Sequence, residues 1–161
     1  MIINISNNDL MVHVYDSVNV DNIPPNADFI LAYMDGDYKN IDQVQKKFPN
    51  SRIIQCTVLP KPGVRVYDCE RGDLTPTEII QIISKEYDEG RIPWIYCQPR
   101  IRPWILKNLT PKTCDNVDFW EANWDNKPTI NPGFTAHQYT SASCDVSIAY
   151  LNSVLYKSGL R

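Results

Sequence analysis

The chain has only two histidines and no closely spaced cysteine pair, so it offers few of the side chains that usually bind metal ions. A histidine-rich metal site is not expected from His13 and His137 alone. The five cysteines are an odd number without CxxC spacing, so neither a disulfide framework nor a zinc knuckle is predicted. We therefore expect no metal and no cofactor. A cysteine nucleophile, built from Cys97 or Cys144 with His137 as its base, remains an alternative.

Positive charge and long apolar runs are also scarce. The formal net charge is -3, and the Lys and Arg residues are scattered, so no basic stripe exists for nucleic-acid phosphates. No run is apolar enough to cross a bilayer, and residues 1–11 contain Asn and Asp where a signal peptide needs an apolar block. We expect a product that is cytoplasmic on synthesis and binds neither nucleic acid nor membrane. A neutral polymer or a small ligand fits this composition better.

Strand patterns alternate with helix patterns along the chain, which is typical of a parallel sheet. With 161 residues, 43% hydrophobic content and no linker, the chain is predicted to form a single domain over residues 1–161. The predicted strands cover residues 11–15, 29–34, 52–58, 64–68, 93–97, 117–122 and 134–139. Predicted helices cover residues 40–48, 76–89 and 103–109, and a final helix capped by Asp145 carries Ile148, Leu151 and Leu155.

The fold class predicted from this order is α/β, in the form of a small or irregular (β/α) TIM-like barrel with reduced helices. Eight complete βα units usually need about 200 residues or more, so some helices must be shortened to loops. An open doubly wound sheet is the alternative. No GxGxxG or Walker motif supports nucleotide binding on such a sheet.

Two carboxylates, Asp68 and Glu70, stand at the end of an apolar strand pattern, immediately before a clear helix start at Thr75. Alternate strand side chains share a face, so the two acids point the same way. Cys69 then points to the opposite side, and we expect it to be buried and unpaired. Most D-x-E triplets are surface charges, and it is the position at a strand end that favours catalysis here. Two acids at a barrel mouth can divide the proton-donor role and the base or nucleophile role of glycosidic cleavage.

Five short motifs occur in an order that resembles glycoside hydrolase family 25, the lysozyme-like muramidases, and most of all its short phage and actinobacterial branch. The resemblance covers roughly residues 28–150. The motifs are Tyr33-Met34-Asp35-Gly36, Asp68-Cys69-Glu70, Trp120-Glu121-Ala122-Asn123-Trp124, His137-Gln138-Tyr139 and Asp145-Val146-Ser147.

The resemblance implies an incompletely regular barrel that cleaves the β-1,4 bond between N-acetylmuramic acid and N-acetylglucosamine in peptidoglycan, after release to the bacterial cell wall. The family's proton donor falls on Glu70. Its three aspartates fall on Asp68, Asp35 and Asp145, which would stabilise positive charge at the sugar ring or position the N-acetyl group. As a proton donor, Glu70 should have a raised pKa, through apolar surroundings and the negative charge of Asp68.

Departures from the family pattern leave one role open. Asp35 and Asp37 compete for the first-strand position, because Gly36 can break the strand register between them. His137 stands where a tryptophan is common before Gln-Tyr. These departures could mean an altered substrate preference or a lost activity.

Aromatic side chains near predicted strand ends can stack on sugar faces. We expect Tyr96 and Trp124 to contact the glycan, with Gln138 and Asp37 as further substrate-binding residues. The competing function is a non-hydrolytic carbohydrate-binding or phage virion-structural module that retains the barrel.

Overall fold

The computed structural model describes residues 10–157 and 159, and its strands form a closed eight-stranded barrel. The strands are β1 Met11–Asp16, β2 Phe29–Tyr33, β3 Arg52–Thr57, β4 Val66–Cys69, β5 Trp94–Cys97, β6 Asp118–Ala122, β7 Ala136–Ser141 and β8 Asp145–Tyr150. The helices are α1 Ile41–Lys47, α2 Pro76–Asp88, α3 Ile101–Lys107, α4 Pro111–Cys114 and α5 Leu151–Lys157. None of the helices in the described part of the chain has the length and apolar character needed to span a membrane.

The strands pair in chain order, and seven of them run parallel. β8 closes the barrel by pairing antiparallel with both β7 and β1. Because β8 runs in the opposite direction, it begins at the barrel end where the other strands finish. Asp145 at the start of β8 is thereby paired with Asp16 at the end of β1. We call this end of the barrel the mouth.

Helices cover only part of the barrel, as the chain length predicts. α1 connects β2 to β3, α2 connects β4 to β5, and α3 with α4 connects β5 to β6. Loops alone join β3 to β4 and β6 to β7, and a short hairpin joins β7 to β8. The barrel is therefore mixed, with reduced helices.

The helix start predicted at Thr75 is confirmed and fixes the segment after β4. The Thr75 hydroxyl accepts a hydrogen bond from the Glu78 backbone N–H at 3.3 Å, and the Glu78 carboxylate accepts one from the Thr75 N–H at 2.8 Å. The apolar face of α2 packs against the outer side of β4, where Cys69 is buried and unpaired as predicted. This packing holds the strand that carries Asp68.

Side chains on the inner face of the strands fill the barrel. They include Val14, Leu31, Ile54, Val66, Trp94, Trp120 and Ala149. The Trp94 and Trp120 rings lie 4.8 Å apart between centroids and close the middle of the barrel. By strand alternation, Asp16 follows Val14 and Asp68 follows Val66 on this inner face. The apolar core thus forms the floor beneath a polar mouth.

The structure corrects the prediction for the C-terminal segment. Asp145 begins strand β8, and the final helix begins only at Leu151. Residues 145–150 form six pairs with β1, which supply the barrel closure that a helix could not provide. Two smaller differences concern the region after β5: α3 begins at Ile101 rather than at residue 103, and α4 lies in a segment for which no helix was predicted.

Candidate active site at the barrel mouth

Three acids from distant parts of the chain line one cavity of about 100 Å³ at the mouth. Asp16 ends β1, Glu70 directly follows β4, and Asp145 begins β8. The cavity lining also includes Tyr96 and Trp124. The barrel topology therefore brings two of the predicted catalytic acids, Glu70 and Asp145, together with one acid that was not predicted.

Asp68 lies beside this cavity on the inner face of β4 and is 3% exposed. The Tyr33 hydroxyl donates a hydrogen bond to its Oδ2 at 3.1 Å, whereas Oδ1 is buried without a partner in the described structure. Burial, followed by the negative charges of Glu70 and Asp73, raises the pKa of Asp68 to about 8, although the Tyr33 hydrogen bond opposes the shift. Asp68 therefore carries a proton at neutral pH.

Asp16 is the site residue that the sequence analysis missed. Its carboxyl group is 8% exposed, and burial together with the nearby charges of Asp145, Asp68 and Glu70 raises its pKa well above the ordinary value. The predicted strand ended one residue earlier, at residue 15, and had no assigned role. The period-two series Val12, Val14, Asp16 was the available signal, because it continues an inward face to an acid at the strand end.

Glu70 is more open to solvent than Asp68 and Asp16 and lines the cavity directly. Burial is the largest cause of its raised pKa, and the charges of Asp73 and Asp145 raise the pKa further. The upward shift of the Glu70 pKa agrees with the prediction, but the neighbouring charges that cause it belong to Asp73 and Asp145 and not, as expected, to Asp68.

Asp145 is oriented by Gln138 on the neighbouring strand β7, and Gln138 is in turn bound by Tyr96 on β5. The Tyr96 hydroxyl donates to the Gln138 Oε1, and a hydrogen bond from the Gln138 side chain lowers the pKa of Asp145 against the larger raising effect of burial. Both partners are buried. Tyr96 and Gln138, predicted as substrate contacts, thus also position an acid.

Asp35 and Asp37 lie at the same barrel end but in a neighbouring groove. The Asp35 carboxylate accepts hydrogen bonds from the Thr57 hydroxyl at 2.7 Å and from the Val58 backbone N–H at 3.0 Å. Gly36 has a φ of 77°, which breaks the strand register after β2. Asp35 and Asp37 line this groove rather than the central cavity, and Asp35 joins the β2 end to the β3 end.

Trp124 stands at the rim of the central cavity with 46% of its surface exposed. The loop that carries it is held by His137, which is fully buried. The ring Nδ1 lies 2.6 Å from the Thr129 carbonyl oxygen and Nε2 lies 2.7 Å from the Asn123 carbonyl oxygen. On the same outer face, Glu121 accepts a hydrogen bond from the Asn131 side chain at 2.7 Å. These contacts fix the position of Trp124.

The cysteine nucleophile considered as an alternative is wrong. Both ring nitrogens of His137 are already engaged by backbone carbonyl groups, so neither is free to accept a thiol proton. Burial raises the pKa of the Cys144 thiol to about 12 and also raises that of Cys97. Neither thiol ionises near neutral pH.

The mouth therefore gathers carboxyl groups with raised pKa values, three lining the cavity and Asp68 beside it, which suits acid–base chemistry on a polar substrate. In residues 10–157 and 159, no group of three His, Cys, Asp or Glu side chains is arranged to hold a metal ion. Comparison of the chain with protein-family models, curated proteins and solved structures gives no significant match.

Proposed function

We propose that this protein is a glycoside hydrolase that cleaves peptidoglycan as a muramidase, acting at the bacterial cell wall after release. The observation that carries the proposal is the convergence of Asp16, Glu70 and Asp145 on one cavity, with Asp68 beside it and a pKa raised for each acid. We further infer that the mixed barrel is a (β/α) TIM-like barrel with reduced helices, a fold in which active sites occupy the C-terminal strand ends.

In this mechanism Glu70 donates the proton to the leaving glycosidic oxygen. It is half-buried at the cavity wall, and its raised pKa retains the proton to a higher pH than an exposed glutamate would. The polar mouth replaces water around the reacting bond, so the acid acts in surroundings that strengthen its electrostatic effect.

The remaining acids stabilise the charge that develops on the sugar. Asp145, held by Gln138, faces the same cavity and becomes the carboxylate that stabilises positive charge at the ring. Asp68 is protonated, and its unpartnered Oδ1 can hydrogen-bond to a substrate group such as the N-acetyl oxygen. In this proposal Asp16 takes the first-strand role that the resemblance gave to Asp35, because Asp16 lines the cavity and Asp35 is bound to Thr57.

The test is the Glu70→Gln variant, which keeps the side-chain size but cannot donate a carboxyl proton. Its hydrolysis of purified peptidoglycan, followed as turbidity loss, should fall by about two orders of magnitude or more while folding and glycan binding persist. Glu89→Gln is the matched control, since Glu89 pairs with Arg91 on the surface after α2, outside the residues that line the mouth cavity.

Two results would contradict the proposal. Equal turbidity loss by wild type and Glu70→Gln would exclude Glu70 as the proton donor. Glycan binding without cleavage by the wild type, on every wall type tested, would favour the binding or virion-structural module.

A further inference from the structure

Two grooves adjoin the central cavity, and their charges differ. The first, of about 220 Å³, shares Tyr33 with the central cavity and is lined by Asp35, Asp37 and Asp73 with no Lys or Arg. The second, of about 370 Å³, shares Glu70 with the central cavity and is lined by Arg71 and Arg100. We call the second the arginine groove. Asp73 also lines the arginine groove, at its border with the first.

Both arginines of this groove have free guanidinium groups. Within the described part of the chain, neither Arg71 nor Arg100 forms an ion pair or a side-chain hydrogen bond. Other arginines are engaged: Arg91 pairs with Glu86, and Arg102 lies over the Phe119 ring. Free guanidinium groups beside a catalytic acid are available to a ligand, and they match the planar geometry of a carboxylate.

Both arginines lie beside the start of a helix. Arg71 lies in the turn between β4 and the capped start of α2, and Arg100 immediately precedes α3. Gln98 also lines the groove and adds an amide that can donate a hydrogen bond to a carboxylate oxygen. The groove thus carries two cationic side chains on a mostly apolar wall, and Glu70, the proposed proton donor, lines it.

We infer that the arginine groove binds a carboxylate carried on the muramyl sugar of the substrate, which makes it a specificity-determining subsite. The inference rests on the proposed function and deepens it, because the muramyl unit is the sugar of peptidoglycan that bears an acidic substituent. In the first groove three aspartates without a cation would repel a carboxylate. In the second, the two arginines outweigh Asp73, and Glu70 is the protonated donor of the proposed mechanism. This difference fixes the direction in which the glycan crosses the mouth.

The carboxylate has two chemical sources, the lactyl group itself and the peptide attached to it. The experiment separates them with three probes: N-acetylmuramic acid, N-acetylmuramyl-L-alanyl-D-isoglutamine and the neutral oligosaccharide chitotetraose. Each probe is titrated against the full chain by calorimetry or by amide chemical shifts. The variant is Arg71→Gln/Arg100→Gln, and the control is Lys46→Gln/Lys112→Gln, which removes the same charge from exposed positions on α1 and α4.

The arginine double variant should bind at least one of the two acidic probes about tenfold more weakly, and the probe affected identifies the source of the carboxylate. Its affinity for chitotetraose should stay unchanged, and so should all affinities of the lysine control. The loss should shrink at high salt, since the affected contact is electrostatic.

Three results would overturn the inference. Unchanged binding of both acidic probes by the arginine variant, with peptidoglycan cleavage retained, would refute the groove assignment and leave the muramidase proposal intact. Equal weakening for acidic and neutral probes would show that the groove does not select charge. No binding of any probe and no cleavage by the wild type would refute both the groove and the proposed function.

Discussion

Charged side chains are buried at both ends of the barrel, and their surroundings differ. At the end opposite the mouth, Lys157 from α5 is 1% exposed. Its ammonium group donates to the Ile92 carbonyl oxygen, lies 3.6 Å from an Asp118 carboxylate oxygen and 4.8 Å from the centroid of the Tyr156 ring. Burial lowers the pKa of Lys157 to about 8, and Asp118 opposes that shift. This charge is compensated on several sides.

The mouth has no such compensation. In the described residues, no Lys or Arg forms an ion pair with Asp16, Asp68, Glu70 or Asp145. The acids also raise one another's pKa values, and one oxygen of Asp68 has no partner. A buried charge that stabilises the fold is paired. Acids that lie unpaired in a cavity indicate function, because they lower the stability of the fold and are available for acid–base chemistry.

The largest expected effect is a difference in turnover between variants of Asp16 and Asp35. Asp16→Asn should lower kcat on peptidoglycan about a hundredfold, because an acid of the central cavity is replaced by an amide. Asp35→Asn should leave kcat within a few-fold of wild type. It should cost about 1 kcal/mol of unfolding free energy, since the hydrogen bonds to Thr57 and Val58 lose their charged acceptor. Steady-state turbidity kinetics and urea unfolding of both variants measure the two effects.

The reverse pattern would break the comparison. If Asp35→Asn abolished turnover while Asp16→Asn remained active, the carboxylate held by hydrogen bonds would be the functional one. The absence of ion pairs would then no longer support the catalytic role proposed for the acids of the central cavity.

The second prediction concerns the stability cost of Asp68. Its folded-state pKa of about 8 lies above the ordinary value of 3.8. The unfolded chain therefore loses this proton first, and Asp68 makes the protein less stable as pH rises from about 4 to 8. Asp68→Asn should raise the unfolding free energy at pH 8 by about 2 kcal/mol, less than the full shift implies because water and local relaxation reduce it. The gain should vanish at pH 3.5.

Urea unfolding at the two pH values measures this difference, with Asp42→Asn on the exposed side of α1 as the control. Turnover by Asp68→Asn should fall although the protein is more stable. A variant less stable than wild type at pH 8 would show that the Asp68 carboxyl contributes to the fold.

Local chemistry explains which features could be predicted. The α2 start followed from Thr75 and Glu78, whose reciprocal hydrogen bonds involve residues only three positions apart. Strand alternation alone predicted that Asp68 and Cys69 lie on opposite faces of β4. The burial of Cys69 followed in turn. Each of these depends on neighbours in the sequence.

The unpredicted features depend on contacts between distant residues. Residues 145–150 were predicted as part of a helix. They form a strand because they pair with both β1 and β7 and so complete the barrel. The alternation of Val12, Val14 and Asp16 places Asp16 on the inner face, but its position opposite Asp145 depends on that closure. Asp35 would continue the β2 alternation, but β2 ends at Tyr33, and the Asp35 carboxylate beyond it accepts a hydrogen bond from Thr57. Pairing partners and turn geometry lie outside a single-sequence pattern.

A smaller effect is expected at the aromatic rim. Trp124→Ala should raise KM for peptidoglycan about tenfold with little change in kcat, because a ring that stacks on a sugar binds ground state and transition state alike. Trp104→Ala is the matched control, since Trp104 on α3 has a similar exposed fraction, 45% against 46%, and does not line the cavity. An equal rise in KM for both variants would remove Trp124 from the binding surface.

The smallest effect is expected at Lys157, where the buried charge is compensated. Lys157→Met keeps the apolar stem among Trp94 and the barrel base, and removes the ammonium group together with its contacts to Ile92 and Asp118. Removing one partner of an ion pair is costly when the other partner stays buried, but the Asp118 side chain is 29% exposed and can be hydrated, so the unfolding free energy at pH 7 should fall by no more than about 1 kcal/mol. The pH dependence gives the sharper readout. Between pH 8 and the ordinary value of 10.5, the folded wild type sheds the lysine proton first and gains stability relative to the variant as pH rises. Below pH 8 the difference between the two proteins should be constant. A loss of several kcal/mol at pH 7 would show that this charge stabilises the barrel, and the contrast between its two ends would then be one of sign as well as of function.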